Sequence, residues 1–230
     1  MTAAEKLEEE MEQAGATAQD SAQKLAEIAP GDSSKRVFFT NSGAESVEAA
    51  FKLARYHTGR SQMIAFFGAF HGRTMGALSL TGSKVIQKAG FAPLIPGVTH
   101  VNYPNCFRCP IGTCQTGCCD RSIDEIEQLF AKTVSPEDVA AFVVEPIQGE
   151  GGYIVPPPEF HRKLKALAER HGILYVVDEV QAGMGRTGKL FATDHFDVSG
   201  AHVGVRTGIA AAYLANNADA VFTSERPCLG

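Results

Sequence analysis

Two carboxylates directly follow an apolar segment in the second half of the sequence. Residues 173–177 read Ile-Leu-Tyr-Val-Val, which is typical of a buried strand, and Asp178 and Glu179 come next. A carboxylate at the end of an apolar strand is costly to bury unless a cation or a hydrogen-bond donor pairs with it. One candidate partner is a protonated pyridine nitrogen, which a buried carboxylate keeps charged.

A second interpretation makes Asp178 a Mg²⁺ ligand in a nucleotide-hydrolase strand. Such proteins carry the phosphate-binding motif Gly-x-x-x-x-Gly-Lys-Ser/Thr. The nearest match runs from Gly183 to Gly188 and Lys189, but Leu190 stands where the hydroxyl residue belongs. The match also follows the acidic strand directly and does not open a strand–helix unit of its own. The sequence therefore favours the ring-nitrogen interpretation.

A turn suited to anions occurs earlier in the chain. Residues 37–40 (Val-Phe-Phe-Thr) form a predicted strand, and residues 41–45 (Asn-Ser-Gly-Ala-Glu) turn the chain into a predicted helix. Free N–H groups and the helix dipole attract anions to such a terminus. Ser42 adds a hydroxyl group, and Gly43 lets a ligand approach the backbone closely. The turn is a candidate phosphate site, with a simple capped helix as the alternative.

A third segment, residues 70–74, reads Phe-His-Gly-Arg-Thr. The ring of Phe70 could stack on a flat ligand, and Arg73 could bind a carboxylate through two parallel N–H groups. On these residues alone, a packed phenylalanine beside a solvated arginine is the simpler interpretation.

A fourth segment, residues 145–152, reads Glu-Pro-Ile-Gln-Gly-Glu-Gly-Gly and follows the apolar residues 141–144. Glu145 therefore also lies at the end of a predicted strand. Acids beside such a flexible turn suit the wall of a ligand pocket. A solvated loop fits the same residues equally well.

Regular elements must bring these four segments together. Strands are predicted at residues 37–40, 63–67, 141–144 and 173–177. Helices are predicted at residues 1–30, from the turn at 41–43 to about 56, at 122–132 and at 158–171, whereas the segment 80–120 is loop-rich. Alternating strands and helices indicate an α/β fold with a mainly parallel sheet. Ligands of such sheets bind beyond the carboxyl ends of the strands.

Helix periodicity and helix stops support these elements. Gly59 and Gly172 follow two of the predicted helices, as glycines that end helices do. The apolar face expected for the helix after the first turn consists of Val47, Ala50, Phe51 and Ala54.

The composition excludes several classes of protein. The 230 residues are 44% hydrophobic and 20% charged, which is typical of a globular protein of one large or two small domains. A net charge of −5 without a basic cluster argues against a nucleic-acid partner. No apolar run reaches the ~20 residues of a membrane span. The acidic N-terminus has no signal-peptide core, so we expect a cytoplasmic protein.

Five of the 6 cysteines lie between Cys106 and Cys119. In a cytosolic chain such a cluster suggests metal binding or free thiols before disulfides. The candidate ligands of zinc or an iron–sulfur cluster are Cys106, Cys109, Cys114 and Cys118. Their spacing matches no standard zinc knuckle, so we expect no metal, and a cysteine-cluster metal-binding protein remains an alternative.

In this order, the motifs at residues 41–45, 70–74, 145–152 and 178–188 resemble those of the class III aminotransferases. These are fold-type I enzymes that use pyridoxal 5′-phosphate (PLP), and 4-aminobutyrate and ornithine transaminases belong to the class. The likeness runs from about residue 22 to residue 198. It implies an N-terminal helical segment (1–30), a partial PLP-binding large domain with a mainly parallel sheet and flanking helices (31–198), and an unrecognised divergent tail (199–230).

The resemblance also implies a cofactor site. Asp178 would pair with the ring nitrogen of PLP, with Phe70 stacked on one face of the ring and Val180 on the other. The turn at residues 42–44 would hold the phosphate, and Gln181 would hydrogen-bond the phenolic oxygen. The full set of implied cofactor-binding residues is Ser42, Gly43, Ala44, Phe70, His71, Asp178, Val180 and Gln181.

The resemblance places Arg73 and Glu145 at the substrate. The arginine would bind the distal carboxylate of the amino donor. The glutamate would screen a second arginine, so that the keto acid acceptor also fits. The implied reaction is a ping-pong transfer of an amino group from an ω-amino acid such as 4-aminobutyrate to 2-oxoglutarate, in a family of homodimers.

One departure from the family concerns lysine. The family attaches PLP to a lysine some way past the motif at Asp178, but the last lysine here is Lys189, which does not match that position. We therefore expect a chain that ends before the catalytic lysine and is inactive alone. A non-catalytic module that binds PLP or a partner subunit is the alternative.

Overall fold

A computed structural model describes residues 19–31, 35–108, 118–198, 201–203 and 210–211. Its helices are α1 (19–28), α2 (Gly43–Thr58), α3 (Met75–Leu80), α4 (Cys118–Lys132) and α5 (Glu159–His171). Its strands are β1 (Phe39–Thr40), β2 (Gln62–Phe66), β3 (Val98–Val101), β4 (Val139–Val144), β5 (Leu174–Asp178), β6 (Ala201–Val203) and β7 (Ala210–Ala211). Single turns of 3₁₀-helix occur at Val85–Gln87, Pro136–Asp138 and Ala192–His195.

Five parallel strands form the central sheet, in the order β3-β2-β4-β5-β6. The predicted α/β fold with a mainly parallel sheet is therefore confirmed. Strand β6 continues this sheet beyond residue 198, with Val176 of β5 opposite Ala201. Strand β1 is shorter than the predicted segment 37–40 and pairs antiparallel with β7 in a separate two-stranded sheet.

Strand β3 lies inside the segment 80–120, for which the sequence predicts loop. Its four residues, Val-Thr-His-Val, carry two polar side chains and show no strong apolar pattern. The strand forms at the edge of the sheet, where Val98–Val101 pairs with Met63–Phe66 of β2. Pairing with an existing strand, rather than local propensity, places these residues in the sheet.

Side chains alternate between the two faces of the sheet and create two cores. On one face Phe66, Phe142 and Val177 pack with Phe160 and Leu164 of α5. The second core contains the alternate strand residues Met63, Ala65, Ala141, Val143 and Val176 together with Val47, Ala50, Phe51 and Ala54 of α2. The predicted apolar face of α2 is therefore confirmed, and helices cover both faces, as a parallel sheet requires.

The helix ends follow the expected pattern. Ser42 caps α2, and its hydroxyl oxygen accepts a hydrogen bond from the N–H of Glu45. Gly59 and Gly172 end α2 and α5 in the left-handed conformation, with φ of 68° and 61°. Both predicted stops are confirmed, because glycine adopts this conformation without the strain of a Cβ.

Helix α3 has a cap that comes from another helix. Thr74 at its N-terminus makes no side-chain capping bond. Instead, Oε1 of Glu48 on α2 accepts hydrogen bonds from the N–H groups of Gly76 (2.7 Å) and Ala77 (3.1 Å). The carboxylate satisfies two otherwise unpaired donors and complements the positive end of the helix dipole. This contact joins α2 to α3 beside the segment 70–74.

In the part of the chain that the structure describes, none of the helices has the length and apolar character needed to cross a membrane.

The cap of α3 predicts the effect of Glu48→Ala. Loss of the acceptor should lower the free energy of unfolding by about 1–2 kcal/mol, because two N–H groups at the start of α3 lose their partner. Urea denaturation measures this. Glu48→Gln keeps an acceptor oxygen and should cost less, and Lys52→Ala, an exposed change one turn along α2, serves as the control. Equal losses for Glu48→Ala and Lys52→Ala would contradict the capping role.

Candidate active site at the carboxyl edge of the sheet

Three buried carboxylates stand where strands β4 and β5 end. They are Glu145 (2% exposed), Asp178 (3%) and Glu179 (0%). Burial of a charged carboxylate is unfavourable unless donors replace the water it loses. Each of the three is therefore paired with protein donors, and Glu145 and Asp178 both find one in the segment 70–71. These pairings assemble the site.

Asp178 pairs with His71, which lies 107 residues earlier in the chain. Oδ2 of Asp178 accepts a hydrogen bond from Nδ1 of His71 at 2.8 Å, and its Oδ1 accepts the N–H of Val180 at 3.0 Å. Both side chains of the pair are almost completely buried. The imidazole therefore holds the carboxylate at a fixed orientation at the end of β5.

The electrostatics of His71 follow from these neighbours. Burial lowers the pKa of His71, but the hydrogen bond to Asp178 and the negative charges of Asp178 and Glu145 outweigh it, so the pKa is raised overall. Thr81 fixes the backbone, since its hydroxyl oxygen accepts the His71 N–H at 3.0 Å. Nε2 of His71 is buried and has no hydrogen-bond partner among the described residues. A buried polar atom of this kind is suited to a ligand or water that completes the site.

Glu145 joins two loops of the site. Its Oε1 accepts the N–H of Phe70 at 2.8 Å, and its Oε2 accepts the N–H of Gly149 at 2.9 Å. Burial raises the pKa of Glu145 to about 7, and the charge of Asp178 acts in the same direction, whereas His71 and the two N–H donors oppose the rise. The side chain thus holds the backbone of Phe70 beside the His71–Asp178 pair.

The hydrogen bonds of Glu145 show a structural role beside the predicted substrate contact. Each carboxylate oxygen accepts one backbone N–H and keeps a second lone pair for another donor. Arg73 is exposed, as the predicted substrate role needs. Glu150, the second acid of the segment, is also exposed and pairs with Lys84 at 3.4 Å.

Two glycines allow the loops to approach each other. A Cβ on Gly72 would lie 2.7 Å from the Cβ of Ala44, and a Cβ on Gly43 would lie 2.9 Å from Cγ1 of Val180. Both distances are too short for carbon atoms in contact. Gly72 therefore brings the segment 70–74 against the turn that starts α2, and Gly43 brings that turn against the residue that follows the Asp178–Glu179 pair.

The start of α2 provides donors next to these contacts. Helix α2 has 16 residues, and the N–H groups of Gly43 and Ala44 belong to its first turn, where no intrahelical acceptor exists. The Ser42 oxygen accepts from Glu45, which leaves its O–H free to donate. Gln181 lies on the other side of the site, where its side chain contacts Gly149. Phe70 is half-buried between these segments.

Sequence reasoning missed the role of Glu179. Its Oε2 accepts the N–H of Ala192 at 2.8 Å, and its Oε1 accepts the N–H and the hydroxyl of Thr193, both at 2.9 Å. Burial raises the pKa of Glu179, and these donors oppose the rise. The residue anchors the 3₁₀ turn Ala192–His195 to the end of β5. The sequence feature that could have indicated this role is the position of Glu179 directly after Asp178, at the end of an apolar strand.

Sequence reasoning also missed a buried polar network below the site. Nε2 of His161 contacts the carbonyl oxygen of Pro146 at 2.9 Å, and its Nδ1 contacts the Tyr175 hydroxyl at 2.7 Å. The Tyr103 hydroxyl donates to the carbonyl oxygens of Glu145 and Pro146, at 3.1 and 3.0 Å. No motif marks these residues, because they come from three distant segments.

The cysteine cluster lies mainly outside the described residues. Cys106 is exposed, Cys109 and Cys114 fall in the undescribed segment 109–117, and Cys118 begins α4. Among the side chains that the structure does describe, no group of three or more His, Cys, Asp or Glu residues could hold a metal ion. The structure therefore does not test the prediction for the four cysteines as a group.

Comparison with known proteins adds a family to this geometry. A family model described as "Aminotransferase class-III" matches residues 10–205, a range wider at both ends than the four motifs. The chain therefore belongs to the class III aminotransferase family. The predicted resemblance is confirmed.

Individual relatives agree with this assignment. A probable 4-aminobutyrate aminotransferase of Bacillus subtilis is 42% identical over 177 residues, which cover 77% of this chain and 41% of the relative. An alanine/serine racemase of Pyrococcus horikoshii is 45% identical over 182 residues, which cover 77% of this chain and 38% of the relative. This chain thus spans about two-fifths of the length of these curated relatives.

A solved structure shows the same architecture. The ω-transaminase of Pseudomonas jessenii, in complex with pyridoxamine phosphate (PMP), superposes with a TM-score of 0.77 and 32% identity over 85% of this chain and 46% of that chain. The fold-type I prediction is confirmed, and PLP as the cofactor of the family agrees with the PMP in this neighbour.

The contact between the two loops predicts the effect of Gly72→Ala. Gly72 has φ of 130° and its Cβ would meet Ala44, whereas Gly152 has φ of 120° and has no atom within 4 Å of an added Cβ. Both alanine variants incur backbone strain, but only the first overpacks the site. Gly72→Ala should therefore reduce the free energy of unfolding by about 1–3 kcal/mol more than Gly152→Ala, measured by urea denaturation. Equal effects would show that the loops separate without cost.

The buried histidine predicts a pH dependence of stability. Burial lowers the pKa of His161 to about 4, with the hydrogen bond to Pro146 opposing. The unfolded state, with a histidine pKa near 6.5, therefore binds the proton first, and the stability contributed by neutral His161 is lost as the pH falls below about 6.5. Between pH 7 and pH 5 this loss should be about 2 kcal/mol.

Protonation of Glu145 changes the stability in the opposite direction. Its raised pKa makes the folded state bind a proton more readily than the unfolded state, so this group adds stability as the pH falls below about 7. The two effects separate when the wild-type chain is compared with His161→Gln, which cannot titrate. Urea denaturation at pH 7 and pH 5 should show the extra loss in the wild type alone. The same pH dependence in both chains would mean that His161 is not buried as a neutral group.

Proposed function

We propose that the carboxyl edge of this sheet binds PLP and that the protein transfers amino groups between an ω-amino acid, such as 4-aminobutyrate, and 2-oxoglutarate. The observation that carries this proposal is the buried His71–Asp178 pair, which lies beside the turn that starts α2. A carboxylate held in this way suits a protonated ring nitrogen, and free N–H groups at a helix start suit a phosphate.

The residues present fit the cofactor. Asp178 would accept the ring N–H, and His71 keeps the carboxylate oriented. The first-turn N–H groups of Gly43 and Ala44, with the hydroxyl of Ser42, hold the phosphate. When bound, PLP supplies an electron-withdrawing ring that stabilises negative charge on the neighbouring substrate carbon.

The remaining predicted residues shape the pocket around the ring. Val180 directly contacts the turn at Gly43 and provides an apolar surface for one face of the ring, and Phe70 provides the other. Gln181 donates to the phenolic oxygen. Glu145 acts by holding the backbone of Phe70, which is a positioning role.

Arg73 is the proposed contact for the distal carboxylate of the amino donor. Its exposed guanidinium lies three residues from Phe70, and a guanidinium binds a carboxylate through two parallel hydrogen bonds. The choice of 4-aminobutyrate rests on this arginine and on the relative named as a probable 4-aminobutyrate aminotransferase.

Racemisation is a second candidate reaction. The relative named as an alanine/serine racemase is 45% identical over 182 residues. A racemase would need the same hold on the cofactor, so the residues around Asp178 suit either reaction. The products distinguish them, since amino transfer forms glutamate from 2-oxoglutarate and racemisation forms the opposite enantiomer without a keto acid.

We also propose that the protein pairs with a second copy of itself, as the family resemblance implies. Large apolar side chains on the segment after α3 are exposed and would supply apolar contact area: Val85 (86%), Ile86 (79%) and Phe91 (57%).

Cofactor binding by Asp178 is testable with PMP, which has no aldehyde and does not react with surface lysines. Asp178→Asn should raise the Kd for PMP at least tenfold, since the neutral amide does not favour the charged ring nitrogen. Absorbance titration and equilibrium dialysis measure the Kd. Asp197→Asn is the matched control, because Asp197 is exposed and asparagine tolerates its φ of 53°.

Unchanged PMP affinity in Asp178→Asn would overturn the ring-nitrogen role. The wild-type chain, supplied with PLP, 4-aminobutyrate and 2-oxoglutarate, should form no glutamate, because none of the assigned site residues is a lysine. Sustained glutamate formation by these 230 residues would show that a lysine outside the predicted site supports turnover.

A further inference from the structure

The two ends of Glu145 face different environments. Its carboxylate holds the N–H groups of Phe70 and Gly149 at the cofactor side. Its carbonyl oxygen accepts the hydroxyl of Tyr103 on the other side of the chain. The residue therefore links the candidate cofactor site to the polar network beneath it.

The direction of each hydrogen bond in that network follows from the groups present. The Pro146 carbonyl oxygen can only accept, so His161 must carry its hydrogen on Nε2. Neutral His161 then has a lone pair on Nδ1, which accepts the Tyr175 hydroxyl. The low pKa of His161 agrees with this neutral form. The two partners of His161 thus determine its tautomer, with the hydrogen on Nε2.

The network is buried throughout. His161 is 0% exposed, and Tyr103 and Tyr175 are each 7% exposed. Water cannot easily replace a lost partner at such a site, so removal of the His161 ring takes the acceptor from the Tyr175 hydroxyl and leaves Tyr103 as the donor to the Pro146 carbonyl oxygen. The carbonyl oxygens of Glu145 and Pro146 are therefore held by Tyr103 and His161, and Tyr175 orients the His161 ring.

We propose that His161, oriented by Tyr175 and assisted by Tyr103, is a positioning residue that sets the place of Glu145 and through it the backbone of Phe70 and Gly149 in the cofactor site. The relay runs from Tyr175 to His161, to the Pro146 carbonyl, to the Glu145 carboxylate and then to the Phe70 and Gly149 N–H groups. Its importance for cofactor binding rests on the proposed function; the relay itself does not.

Amide hydrogen exchange of the 230-residue chain without cofactor tests the relay. His161→Phe removes both polar contacts at similar size. It should accelerate exchange at the amides of Phe70 and Gly149 at least tenfold more than Leu164→Ala does. Leu164 is buried one turn along α5 and belongs to the same core, so its truncation destabilises the fold without removing a bond to Pro146.

Two further variants separate positioning from general destabilisation. His161→Gln places an N–H donor near the position of Nε2 and should restore most of the protection at Phe70 and Gly149. Tyr103→Phe is a smaller deletion that leaves His161 in place and should show the same acceleration to a lesser degree. It also keeps the test available if His161→Phe does not fold.

Equal acceleration in His161→Phe and Leu164→Ala, or no rescue by His161→Gln, would overturn the relay. PMP affinity provides the second measurement. His161→Phe should weaken it about tenfold and His161→Gln should restore it, whereas unchanged affinity in His161→Phe would overturn the link to the cofactor site. If the wild-type chain does not bind PMP, the proposed function fails and the exchange data alone decide on the relay.

Discussion

The cost of burying negative charge at the carboxyl edge of a parallel sheet organises this structure. Glu145, Asp178 and Glu179 are nearly inaccessible to water, and each must recover the hydrogen bonds that water would provide. One partner segment, at Phe70 and His71, is distant in sequence from the acids, whereas the loop at Gly149 and the turn at Thr193 follow them more closely. Satisfying the three acids therefore folds these loops onto the edge of the sheet.

The three acids are not equivalent. Glu145 and Glu179 each have both oxygens bonded to protein donors, and burial raises the pKa of both. Both carboxylates mainly hold the backbone of neighbouring segments in place through hydrogen bonds. Asp178 also has both oxygens bonded, one to the ring of His71 and one to the N–H of Val180, but Nε2 of this histidine has no hydrogen-bond partner among the described residues. This ring nitrogen favours Asp178, rather than Glu145 or Glu179, as the acid beside the proposed cofactor.

The site also depends on both faces of the sheet. Helix α2 supplies the turn proposed for the phosphate and, through Glu48, the cap of α3. On the other face, α5 supplies His161, which contacts the carbonyl oxygen of Pro146 next to Glu145, and Glu145 in turn holds the N–H of Phe70. The glycines at positions 43 and 72 complete this arrangement, because their missing side chains allow the turn, the loop and the segment after β5 to touch.

The sequence alone determined the class of fold, the family and the segments that form the site, since local pattern carries that information: apolar runs before acids, a capped helix after a strand, and glycines at turns. The tertiary structure decided which side chains meet. It showed that Glu145 is bonded to Phe70 and Gly149, that His71 orients Asp178, and that β3 forms at the edge of the sheet. Apart from the bond between Glu145 and Gly149, these contacts join residues tens to over a hundred positions apart, and their hydrogen bonds depend on burial and distance, which a linear pattern does not specify.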